Sequence, residues 1–105
     1  MPNDWTTSEK KIARRVFERA LGAELAEVMN TFKTMAASAA LPDDMWSAEA
    51  FLANARRSID RKYDYRYSQL LLVFGQLLRE GRITEEELSG LSDDKVQAIT
   101  RVATL

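Results

Sequence analysis

The residues best equipped for chemistry lie in one run, Arg56-Arg57-Ser58-Ile59-Asp60-Arg61-Lys62-Tyr63-Asp64-Tyr65-Arg66-Tyr67. Basic side chains interleaved with aromatic rings can hold single-stranded nucleic acid through charge and stacking. Here Asp60 and Asp64 dilute the charge, and no second basic face is expected elsewhere, which argues against a nucleic-acid partner. Tyrosine and arginine are also enriched at protein interfaces, and protein binding is the reading this run favours. Arg56/Asp60 and Arg57/Asp60 pairs could brace a plain helix surface on the other side, each worth roughly 0.2–0.5 kcal/mol.

The other clusters are acidic: Asp43-Asp44, Asp93-Asp94 and Glu85-Glu86-Glu87. Each sits where a helix should start, and carboxylates are favoured there by the positive end of the helix dipole. The chain has no cysteine and no histidine, which removes the usual zinc ligands, thiol nucleophiles and the commonest general base. No catalytic cluster, metal or cofactor is therefore expected, and the chain does not read as an enzyme. Trp46, next to a turn, is either a binding anchor or a ring folded into the core at the helix start. The sequence alone favours the core.

Four helices are predicted to carry these residues. The first opens after Thr6-Thr7-Ser8, with Glu9 in its first turn. Its apolar stripe runs through Ile12, Val16, Phe17, Ala20, Leu21, Leu25, Val28, Met29, Phe32, Met35 and Ala36, until Leu41-Pro42 ends it. Gly22 lies within it as a tolerated surface glycine or a close crossing point. The second helix is expected to run from about Met45 to Glu80, where Gly81 stops it. Its Leu70–Phe74 segment is apolar nearly all round and should be buried on more than one side. Thr84 and Glu87 form a capping box for a short helix, and Ser92-Asp93-Asp94 open the last one, which carries Val96, Ile99 and Val102. The first six residues are expected to fray.

The fold class is thus all-α: two long antiparallel-type helices plus two short C-terminal ones, in a single domain over 1–105. The formal net charge is −1, so long-range attraction to nucleic acid or anionic lipid is weak. No apolar run approaches the ~18 residues of a membrane span. MPNDWTTSEKK has polar residues where a secretory signal would be apolar, so the cytoplasm is the expected compartment.

Helices of roughly 30 and 35 residues would be about 45–50 Å long. A compact chain of this size has a radius of gyration of only ~13 Å. A second copy would cover the apolar faces left over, so a homodimeric helical bundle is expected. Arg66 should then fall on the seam between Tyr63 and Leu70, paired with Asp60, Asp64 or an acid of the second chain.

Several segments together resemble one family. They are Asp43-Asp44-Met45-Trp46, Phe51-Leu52, Ile59-Asp60-x-Lys62-Tyr63-Asp64-x-Arg66, Val73-Phe74-x-Gln76-Leu77-Leu78-x-Glu80-Gly81, Glu86-Glu87-Leu88, Leu91 and Asp94-Lys95. Their joint spacing resembles the fluorescence recovery proteins of cyanobacteria. The resemblance implies an all-helical dimer that binds the photoactivated orange carotenoid protein, speeds its return to the orange form and ends photoprotective quenching. Trp46 and Arg56 match family residues tied to activity and dimer contacts. Ala50 stands where the family has an aspartate that pairs with that arginine, and Glu49 replaces a neighbouring histidine. Leu72 and Ala98 replace a phenylalanine and a lysine at the partner-binding end. The candidate partner-binding and dimer residues are Trp46, Glu49, Arg56, Asp60, Tyr63, Arg66, Phe74 and Lys95. The alternative is a divergent dimeric scaffold for a different protein.

Overall fold

The computed structural model describes residues 4–105. They form α1 (Thr7–Ser38), α2 (Pro42–Lys62), α3 (Leu70–Arg79) and α4 (Asp93–Ala103), with a 3₁₀ turn at Glu86–Leu88. No strand occurs among the described residues. The expected fraying of the first residues falls partly on 1–3, outside the described residues. Trp5, by contrast, is buried, so fraying does not reach it.

The largest departure from the sequence reading is in the second helix. The periodicity joins 45–80, but the chain leaves the helix after Lys62 and re-enters it at Leu70. The break lets the alternating tyrosines 63, 65 and 67 pack as rings. Tyr63 and Tyr65 meet Phe17 edge-on, with centroids 5.4 and 4.8 Å apart, and Tyr67 packs against Trp5 at 5.7 Å. A period of two brings side chains to one side of extended backbone, whereas a helix would spread them around its circumference. At 21 residues, α2 is about 32 Å long at 1.5 Å per residue, and the length argument for a dimer now rests on the 32-residue α1 alone.

Two compact units result. One comprises Tyr63–Leu105 with the start of α1 up to Ala20. Leu70, Phe74, Leu77, Leu88 and Ile99 are fully enclosed in it, with Val16 and Ala20 from α1. Each large enclosed side chain contributes roughly 1.5–3 kcal/mol. The apolar run of α3 is not buried all round, because Leu72 points outward. Helices α3 and α4 cross at Gly75, where an added Cβ would lie 2.3 Å from Val102 Cγ1. The sequence reading did not single out this glycine.

The helix starts follow the expected chemistry. The Thr6 amide donates to Glu9 Oε1 at 3.0 Å and the Glu9 amide to Thr6 Oγ1 at 3.1 Å, a reciprocal capping box. Thr84 and Glu87 form the same arrangement before the 3₁₀ turn. Ser92 caps α4 by accepting from the Lys95 amide.

The other unit, residues 21–62, is an antiparallel hairpin of the second part of α1 with α2. Pro42 occupies the first turn of α2, where its missing N–H costs nothing. Asp44 Oδ2 accepts the Ala40 and Leu41 amides, each at 2.9 Å, and these bonds hold its carboxyl below the usual range. Lys62 Nζ lies 2.8 Å from Glu24 with both side chains nearly enclosed. Ala48 and Ile59 face inward, while Leu25, Met29, Leu41, Met45, Trp46 and Leu52 remain exposed. Gly22 has open space around it, as a surface glycine should.

Candidate protein-interaction surfaces

A helix turns about 100° per residue, so Trp46, Glu49, Arg56 and Asp60 share an arc of about 120° on α2 with Met45, Leu52 and Ala53. The inward-facing Ala48 and Ile59 lie just beyond the Leu52 edge of this arc, on the side away from Trp46. Trp46 is 59% exposed, which corrects the core reading. It sits about 200° around the helix from Ala48, the residue that does face inward at this end.

Charge on this face is loosely held. Arg56 Nε is 3.7 Å from Asp60 Oδ2, with both side chains well exposed. Such a pair contributes ~0–1 kcal/mol and leaves the guanidinium open to another partner. Arg57 donates to Asn54 Oδ1 one turn back, rather than pairing with Asp60. Glu49 borders two depressions. One, of about 440 Å³, is lined by Phe32, Ala36 and Ala39 from α1 and by Met45, Ala48 and Leu52 from α2. The other is lined by Leu52, Ala53, Arg56 and Arg57.

The remaining candidates lie in the other unit and serve different roles. Tyr63 is half-buried against Phe17. Phe74 is fully enclosed. Lys95 is 3% exposed, donating to the Asp4 carbonyl at 2.6 Å and to Glu9 Oε1 at 3.2 Å, with its ammonium 5.1 Å from the Trp5 ring centroid. Arg66 is not on a helical seam, because α2 has ended before it. It is exposed and pairs with Asp64 at 2.6 Å, a contact that draws the Asp64 carboxyl below its ordinary value.

The expectation that no second basic face exists is also corrected. Lys10, Lys11, Arg14, Arg15 and Arg19 line a groove of about 710 Å³ with Thr7, Glu18 and Tyr67. Their spacing forms two rows, Lys10/Arg14 and Lys11/Arg15/Arg19, which one-turn periodicity could have revealed. The near-zero net charge of the whole chain hid them. Arg14 lies over the Tyr65 ring at 3.8 Å and Lys10 over Tyr67 at 5.2 Å. Burial beside Tyr67 pushes the Tyr65 phenol up to about 12.

Among the described residues no group of three or more acidic side chains is arranged to hold a metal ion. Among them, too, no helix is long and apolar enough to cross a membrane. The class is thus an all-helical protein whose accessible features are helix faces lined with tryptophan, arginine and exposed apolar groups. Residues 5–103 match the photoprotection regulator fluorescence recovery protein family, and the chain belongs to that family. It is 38% identical over 101 residues to the fluorescence recovery protein of Synechocystis sp. PCC 6803, spanning 96% of this chain and 93% of that one. Its fold matches the solved fluorescence recovery proteins of Fremyella diplosiphon (TM-score 0.93, 31% identity) and Synechocystis (TM-score 0.92, 37% identity). Each match covers 97% of this chain and all of the other.

Proposed function

We propose that this chain is a cytoplasmic, non-enzymatic dimer that binds the photoactivated orange carotenoid protein and accelerates its return to the orange form. The exposed α2 face carries this reading: Trp46 stands out of the core on the same face as Arg56, whose charge is only loosely paired. The family is named for photoprotection regulation, and the chain matches it almost end to end. Leu25, Met29, Met45 and Leu52 give the same unit more exposed apolar surface than a lone hairpin needs, which supports burial against a second copy. A binder changes rates or populations only through differential affinity, so to speed the return the dimer must favour the arrangement on the way to the orange form over the photoactivated form it first meets.

Size exclusion with light scattering tests the binding. The dimer should co-elute with the illuminated carotenoid protein and much less with the dark form, and Trp46→Ala should weaken the complex. Co-elution with neither form, with the dimer intact, would leave the second reading: a related scaffold for a different protein. Three residues favour that alternative. By the family resemblance, Ala50 on α2 stands in place of a carboxylate, the exposed Leu72 in place of an aromatic, and Ala98 on α4 in place of a cation.

A further inference from the structure

The basic groove on the first part of α1 has no role in the reading above, and its composition selects a class of occupant. Residues 10–19 hold five cations and one acid, in a chain whose formal net charge is −1. Arg19 is already committed, to Glu87 at 2.9 Å and to the Arg82 carbonyl at 2.8 Å. Arg14 lies 3.9 Å from Glu18. Lys11 and Arg15 are exposed, one turn apart, and have no acidic partner among the described residues.

We propose that this groove docks an acidic, extended segment of a partner protein, with carboxylates bridging Lys11 and Arg15. The inference rests on the reading that this chain works by binding protein, though not on which protein it binds. Positions one turn apart on a helix are separated by about 6 Å along its axis. Alternate residues of an extended chain repeat at about 6.6 Å, so acids at every second position match the row of cations. Arginine and tyrosine side chains are typical of protein interfaces.

The geometry disfavours the other polyanions. Arg14 and Lys10 occupy the faces of Tyr65 and Tyr67, so neither ring offers that face for stacking a base. No exposed large aliphatic side chain lines the groove, so a bilayer would gain charge attraction without insertion.

Fluorescence anisotropy with a labelled oligoglutamate peptide at low ionic strength tests the proposal. The wild-type protein should bind, and Lys11→Glu/Arg15→Glu should weaken binding roughly tenfold or more. Lys33→Glu/Arg61→Glu, with the same change in net charge, should leave binding nearly unchanged. No binding, or equal weakening in both variants, overturns the proposal. So does tighter binding of a single-stranded oligonucleotide or phosphatidylserine vesicles, lost in the same groove variant. A groove variant with altered dimer mass would assign the face to a second copy instead. The assay contains no carotenoid protein, so its failure and the failure of the regulatory reading are separable.

Discussion

Lys95 and Glu9, 86 positions apart in the chain, form an enclosed ion pair at 3.2 Å, with both side chains at least 94% buried. Glu9 also accepts the amides of Thr6 and Ser92, at 3.0 and 2.8 Å. One carboxylate therefore caps α1 and ties down the start of α4. Removing one member of such a pair leaves the other charge buried without compensation. Lys95→Met should cost roughly 3–5 kcal/mol in chemical denaturation. Glu9→Gln/Lys95→Met should cost less than the sum of the single changes, since the pair is lost as a unit. Additive costs would show that the pair is not coupled.

The same carboxylate predicts an acid dependence. Burial pushes the Glu9 carboxyl up, but the Thr6 and Ser92 amides and Lys95 more than offset it and hold it at about 2, against an ordinary value of 4.5. A folded-state value below the unfolded one stabilises the fold above the unfolded value and is lost as pH falls through the folded one. Stability should therefore fall between about pH 4.5 and 2. In Glu9→Gln that part of the slope should vanish. An unchanged slope in the variant would mean other carboxylates control acid unfolding.

How much of this was legible in the sequence depends on how local the cause is. The Thr84/Glu87 box and the Ser92 cap are short-range, and residue type with spacing predicts them; the Thr6/Glu9 box has the same spacing, although the sequence reading places Glu9 only in the first turn. The break at 63–69 contains no glycine or proline to announce it. It depends on Phe17 and Trp5, which reach the tyrosines only through the tertiary fold. Trp46 is exposed because its rotation relative to Ala48, not its proximity to the turn, decides which way it faces. Nothing near Lys95 in sequence reveals a partner as distant as Glu9, so the sequence leaves it among the candidate interface residues.

Two glycine-to-alanine changes should have opposite signs. At Gly75 the new methyl would meet Val102 Cγ1 at 2.3 Å and the Ile99 carbonyl at 3.2 Å, where α3 crosses α4. Overpacking of this kind should cost roughly 1–3 kcal/mol. At Gly22 nothing lies within 4 Å, and alanine should stabilise the helix by about 0.5–1 kcal/mol. Thermal melts of the two variants should bracket the wild type. A Gly75→Ala protein melting at or above the wild type would contradict the tight crossing.

Dimer formation is testable by mass. Light scattering should give about 24 kDa, twice the 11.9 kDa chain. Met29→Glu/Leu52→Glu, which places charge on the exposed apolar surface of the hairpin, should halve it. A wild-type mass near 12 kDa would remove the dimer.

The most direct measurement is the dark rate at which a photoactivated orange carotenoid protein reverts from red to orange, with and without this chain. Micromolar protein should accelerate the reversion, and Trp46→Ala or Arg56→Ala should abolish the acceleration while helicity is retained. An unchanged rate at micromolar excess of intact dimer would contradict it, and would mean that the family's fold is kept here for a different partner.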